Sequence, residues 1–346
     1  MQLSVLGAGS FGTAMANHAA ELGHQVMIWC RRKEQADAIR EQHHNPDYFK
    51  DYSLSPNVTA TANIAECADF SQRILLAVPS QSLRCALEII PRGDYQFLNL
   101  AKGIEITSGQ FLHQMMMEIQ PQSGYSALSG PSHAEEVIQG KPTAVVVASQ
   151  VQEEAVHWQE LLNAPCFRVY TEEDVIGVEI GGAVKNVIAI AVGIARGMSL
   201  GDNALAALAT RGLAELMRLG IALKADPMTL MGLAGVGDLM ATCYSPHSRN
   251  VRFGLAIGQG KSADEAMAEV KQVVEGAHTT RALITHAEAF KLDLPLTQSV
   301  YNILYSGASI QETMGLLLAR EPKPERIPFK NRRLPDERVS APTSSN

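Results

Sequence analysis

The longest apolar stretch of the 346-residue chain, Val184 to Ala195, contains a lysine and an asparagine, Lys185 and Asn186. Gly181, Gly182 and Ala183 lead into the pair, and Val187 and Ile188 follow it. Burying an unpaired ammonium is costly, so Lys185 needs a carboxylate partner, a lowered pKa, or both. Either condition suits a proton donor that works near neutral pH. The plainer alternative is a structural lysine paired with Glu179 or Asp238. Asn186 is equally out of place in a core helix unless it bonds a ligand. A second cluster, Gly232 to Thr242, places Asp238 directly after Gly235-Val236-Gly237, and a turn that holds the carboxylate rigid is predicted. By itself Asp238 would be a helix N-cap. Ser248-Arg249-Asn250 then offers a hydroxyl, a guanidinium and an amide in succession, at the predicted start of a helix over residues 251–257. That run can cradle a phosphate, and it can equally be a plain helix cap.

The third chemical feature is Gly7-Ala8-Gly9-Ser10-Phe11-Gly12, between the apolar run Leu3–Leu6 and the helix-forming Thr13–Ala16. Strand, glycine turn and helix in that order give a GxGxxG pattern the context of a dinucleotide site. Gly7 permits the tight turn, Gly9 lets a pyrophosphate approach the backbone, and Gly12 lets the helix pack on the strand. The first amides of the helix face the phosphates. The next strand, Gln25–Trp29, runs into Cys30-Arg31-Arg32-Lys33, with no acid before Glu34. An NAD-preferring site carries Asp or Glu at this place, whereas arginines pair with a 2′-phosphate. NADP(H) is therefore the preferred cofactor, with NAD(H) also accepted, unless the three cations only open a solvated helix.

The elements that must position these residues divide the chain. Apolar runs at 74–78, 96–100, 125–128 and 143–148 alternate with helical patterns, as in a doubly wound parallel sheet. Gly7, Arg31, Pro79, Lys102 and Gly130 fall just beyond strand ends, where such sheets bind ligands. After about residue 170 long Ala-, Leu- and Gly-rich helices dominate. The expected fold is α/β: a Rossmann-like doubly wound parallel sheet over 1–170 and an all-α domain over 171–320, with a charged, proline-containing tail over 321–346. The net charge of −7 leaves no basic stripe for nucleic acid or an anionic membrane. Five cysteines, none spaced CxxC, predict free thiols in a reducing cytoplasm and no structural metal. The N-terminus lacks a signal-peptide pattern, and the stretch at 184–195 is too short and polar to span a bilayer.

Taken together, these segments resemble the sn-glycerol-3-phosphate dehydrogenase family, and its bacterial NAD(P)-dependent form in particular, from about residue 2 to 318. The resemblance rests on VLGAGSFGTAMA, NLAKGIE, LSGPSHAEE, GVEIGGAVKNVIAIAVGIARG, LGDNALAALATRGLAE, GLAGVGDLMATC, SPHSRN and VVEGAHT, which occur in this order. It implies reversible hydride transfer between NAD(P)H and dihydroxyacetone phosphate, giving sn-glycerol 3-phosphate, a glycerophospholipid precursor. It also implies Lys185 as the proton-transfer lysine with Asp238 as its electrostatic partner, and Lys102 near substrate and nicotinamide. Ser10, Phe11, Ala134, Val273 and Glu275 would contact the cofactor, with Arg31 or Arg32 at the adenosine ribose. Gly130, Ser132, Asn186, Ser248, Arg249 and Asn250 would line the substrate, Arg249 reaching the cofactor as well. A homodimer is a further implication. His133 stands where the family is often aromatic, and Arg31-Arg32 is a variable position that leaves cofactor choice to these residues. The residues alone also allow a two-domain dehydrogenase acting on a hydroxy-carboxylate, or a protein that senses NADP without turnover.

Overall fold

A computed structural model describes residues 1–319; the tail predicted over 321–346 lies outside the described residues. Eight strands form one sheet: β1 (Gln2–Leu6), β2 (Gln25–Trp29), β3 (Val58–Thr61), β4 (Arg73–Leu76), β5 (Gln96–Asn99), β6 (Gly124–Ser129), β7 (Thr143–Ser149) and β8 (Phe167–Glu172). Their order is β3-β2-β1-β4-β5-β6-β7-β8. Every neighbouring pair is parallel except β6 and β7, where Ser126 faces Ser149 and Ser129 faces Val146 in an antiparallel register. The doubly wound parallel sheet expected from the sequence is present, with this one antiparallel pair in it. Two strands, β3 and β8, were absent from the sequence reading, and β4 stops at Leu76 rather than Val78.

The sheet buries both faces. Leu3, Val5, Val26 and Ile28 pack under helices on one side, while Leu6, Ile74, Leu76 and Phe97 pack on the other. That arrangement explains why the central strands read as unbroken apolar runs. Strand order reverses at β1 and β4, which opens the crevice that doubly wound sheets use for ligands.

The helical half is built around Val175–Gly197, which we call the Lys185 helix. Twenty of its residues are buried. It contains the whole 184–195 apolar stretch and is apolar enough to cross a membrane by composition, yet 94% of its apolar window is buried inside the protein. It is a core helix. The Arg249 helix (Arg249–Gly258) lies along it in the same direction. A Cβ at Gly193 would come within 2.4 Å of the Val251 carbonyl, and one at Gly254 within 2.2 Å of the Ile190 carbonyl. Only hydrogen side chains allow these two backbones to approach so closely. The close crossing brings the N-terminus of the Arg249 helix beside Asn186.

Candidate active site

A cavity of about 630 Å³ runs along the crevice. At one end stand Trp29, Arg31, Arg32, Asp47 and Tyr48; at the other, Lys102, Lys185, Asn186, Thr242 and Asn250. Between them the wall is Gly7, Gly9, Ser10 and Phe11 with Ala77–Ser82. Gly7 has φ +119°, a conformation side chains rarely adopt, and a Cβ there would lie 2.8 Å from the Ala77 carbonyl. A Cβ on Gly9 would meet nothing within 4 Å, so the middle of the loop is open for a ligand to rest on the backbone. No side chain caps the helix Ser10–Glu21 that follows, which leaves its first amides available to phosphate. Gly12 does not line the cavity; its Cβ would sit 1.9 Å from the Gly7 carbonyl, so it brings helix and strand together. These features fit a dinucleotide.

The opposite end is a buried charge cluster. Lys185, only 6% exposed, donates from Nζ to Asp238 Oδ1 at 2.6 Å and to Thr242 Oγ1 at 2.8 Å. Lys102 donates to the other carboxylate oxygen, Oδ2, at 2.7 Å and to the Gly130 carbonyl at 3.1 Å. Ser129 Oγ also lies 3.4 Å from Oδ2. Of the two carboxylates the sequence offered Lys185, Asp238 is the partner. Glu179 instead accepts from His113 Nδ1 at 2.6 Å and from the Tyr125 hydroxyl. Asp238 is not a helix cap. The glycines before it wind into one wide π-type helical turn, Leu233–Gly237, rather than the expected turn, and Asp238 is the first residue of the helix that continues to Tyr244. Burial pushes the Lys185 ammonium down; Asp238 opposes the shift and Lys102 adds to it, leaving Lys185 at about 8. Burial raises the Asp238 carboxyl, but the two ammoniums outweigh it and hold it below its ordinary range.

Residues 2–155 match the NAD-dependent glycerol-3-phosphate dehydrogenase N-terminus, and residues 174–315 match the NAD-dependent glycerol-3-phosphate dehydrogenase C-terminus. The chain belongs to this dehydrogenase family. A glycerol-3-phosphate dehydrogenase [NAD(P)+] from Staphylococcus carnosus is 43% identical over 333 residues, covering 94% of this chain and 99% of the relative. One from Thermobifida fusca is 44% identical over 332 residues, covering 94% and 98%. A crystal structure of the Coxiella burnetii glycerol-3-phosphate dehydrogenase superposes with a TM-score of 0.88 at 36% identity, covering 92% of this chain and 99% of that one.

The remaining residues named by the family resemblance distribute around the cavity. Ser132, Ala134, Ser248, Arg249, Val273 and Glu275 line it. Gly130 does not, and reaches it only through the carbonyl that accepts from Lys102 and from Ser132 Oγ. Ser248 caps the Arg249 helix by accepting from the Val251 amide at 3.3 Å. Arg249 donates to the Val273 carbonyl at 3.3 Å. Asn250 donates to Asn186 Oδ1 at 2.9 Å and accepts from the Gly276 amide at 3.0 Å, while Asn186 donates to the Gly182 carbonyl at 3.3 Å. The two amides are therefore fixed, and each keeps one N–H hydrogen for a ligand. Glu275 Oε1 accepts from the Ser80 amide at 3.4 Å, and burial raises its carboxyl pKa despite Arg249 nearby. Sequence reasoning missed Thr242, Ser129 and Asp47. Thr242 carried a signal: it stands four residues after Asp238, one helical turn away on the same face.

Proposed function

We propose that this chain catalyses the reversible reduction of dihydroxyacetone phosphate to sn-glycerol 3-phosphate with NAD(P)H, a cytoplasmic step that supplies glycerophospholipid synthesis. The observation that carries this reading is the near-neutral Lys185 ammonium, buried against Asp238 at the cavity wall. When bound, the nicotinamide supplies the hydride that reduces the ketone carbon. The residues of the chain do the rest. Lys185 Nζ donates its proton to the carbonyl oxygen as negative charge grows there, and withdraws it in the reverse direction. Lys102 adds a second positive charge at that oxygen, and Asp238 holds both ammoniums on one carboxylate. Arg249 and Asn250 bind the phosphate, with Ser132, Asn186 and Ser248 completing the substrate wall. Phosphate binding energy then aligns the reacting carbon.

Gly7, Gly9, Ser10 and Phe11 hold the pyrophosphate segment, with Gly12 packing the helix against the strand behind them, and Ala134, Val273 and Glu275 contact the cofactor. Arg31 and Arg32 favour NADPH over NADH. The family match and the names of the curated relatives support this substrate over a hydroxy-carboxylate, and turnover over sensing. A homodimer is the expected assembly. The test is a 340 nm assay with NADPH and dihydroxyacetone phosphate, in which the chain turns over and the Lys185→Ala variant does not. Equal turnover by both proteins would refute the assignment.

A further inference from the structure

The nucleotide end of the cavity holds a carboxylate that the order of residues along the chain conceals. No acid ends β2, yet Asp47, fifteen residues beyond Arg32, stands at that strand end and pairs with the Arg32 guanidinium. Both line the cavity, together with Arg31. Arg31 makes no ion pair among the described residues, so the two arginines are unequal.

The position of Asp47 is built rather than incidental. Its amide donates to Asn45 Oδ1 at 3.1 Å. Asn45 is 1% exposed, and its Nδ2 donates to Thr13 Oγ1 at 2.7 Å and to the Ala8 carbonyl at 3.2 Å. Gln35 Nε2 donates to the same Ala8 carbonyl at 3.0 Å and to Asn45 Oδ1 at 3.1 Å. The segment carrying Asp47 is thereby tied to the glycine loop itself. The Asp47 carboxylate is also close enough to Cys30, the first residue after β2, to help burial raise that thiol to about 12.

We propose that Asp47 sets the nucleotide preference of this site. Resting on the cofactor reading above, the inference is that Asp47 supplies in space the acid that NAD sites carry at the end of this strand. It neutralises Arg32, repels a 2′-phosphate and accepts from a free ribose hydroxyl, so it moderates the preference that the two arginines create. NADH stays usable because of Asp47, and NADPH affinity rests mainly on Arg31.

Asp47→Asn keeps the size and the backbone N–H while removing the charge, and Asp47→Ser checks that the effect is not peculiar to asparagine. Equilibrium dissociation constants for NADPH and NADH, measured by titration calorimetry without substrate, give a readout independent of turnover. Removing one exposed charge should tighten NADPH about threefold and weaken NADH about twofold, in both variants, and the shift should shrink in high salt. A change in the ratio of the two constants below twofold, or toward NADH, overturns the role of Asp47. Arg31→Ser separates the two layers of the argument. If Arg31→Ser lowers the NADPH preference while Asp47→Asn leaves it unchanged, only Asp47 is wrong. If neither variant moves the ratio, the cofactor reading falls as well.

Discussion

The two ends of the cavity use charge in opposite ways. At the inner end, two ammoniums share one buried carboxylate, and every side-chain polar atom of Asp238 and Lys185 has a partner. At the outer end, Arg32 and Asp47 form a pair whose side chains remain 52% and 36% exposed. A charge in a dry site interacts strongly and has its pKa moved; one facing water is screened and interacts weakly. The difference teaches where each kind of function belongs. Chemistry needs the inner arrangement, because burial, with the Lys102 charge adding to it, brings Lys185 to about 8. Choice between two similar nucleotides needs only small energies, which exposed charges supply and a few substitutions can change.

The sharpest way to break this contrast is to remove charges from the inner end. Lys185→Ala should lower turnover by ~100- to 10,000-fold, the usual cost of losing a general acid, with NADPH affinity nearly unchanged. Asp238 keeps Lys102 as its partner in that variant, so the fold should survive. Folded Lys185→Ala protein with ordinary turnover would place the proton transfer elsewhere. Asp238→Asn leaves two ammoniums facing each other without their carboxylate. Breaking a buried pair this way costs roughly 3–5 kcal/mol. Urea unfolding should report that loss, and Lys185 should titrate well below 8. Unchanged stability would mean the cluster is wetter than its burial indicates.

Arg249 tests the middle ground, a partly exposed cation that we propose faces the substrate phosphate. Arg249→Ala should lower kcat/KM for dihydroxyacetone phosphate by about one to two decades, the loss of a charge-assisted contact of roughly 1.5–3 kcal/mol. Dihydroxyacetone, which lacks the phosphate, should lose little further activity. Equal proportional losses on both substrates would assign Arg249 to the fold or the cofactor. The smallest effect belongs to the outer end. Arg31→Asp should reduce the NADPH:NADH ratio of kcat/KM by about tenfold, through repulsion of the 2′-phosphate. A ratio that stays constant would make the arginines a solvated helix start.

The same contrast explains what could be read from the sequence. Lys185 announced itself because a lysine among aliphatics must be accounted for, and the glycine loop did so through its strand and helix. Asp238 was one of two candidate partners, and only folding could show that Glu179 is occupied by His113 and Tyr125. Asp47 gave no local sign: its partner is fifteen residues away, and an aspartate after a single proline, Pro46, looks like any surface acid. Among the strands, β3 is four residues at a sheet edge and offers too short a pattern. β8 did alternate, with Arg168 and Tyr170 outward and Phe167 and Val169 inward, but its edge position exposed half of it. The antiparallel turn of β7 depends on the connection through 134–141, whose direction no periodicity encodes.

The most direct test of the central claim is the pH dependence of kcat/KM in both directions on the unmodified enzyme. In the proposed mechanism ketone reduction uses the protonated Lys185 ammonium, so its kcat/KM should be level below about 8 and fall above it. Alcohol oxidation needs the neutral amine, so its kcat/KM should rise through the same value and then level off. Opposite slopes meeting near one pKa are what a single buried lysine, acting as acid one way and base the other, requires. Profiles without a break between pH 7 and 9, or breaks of the same sign in both directions, would contradict it.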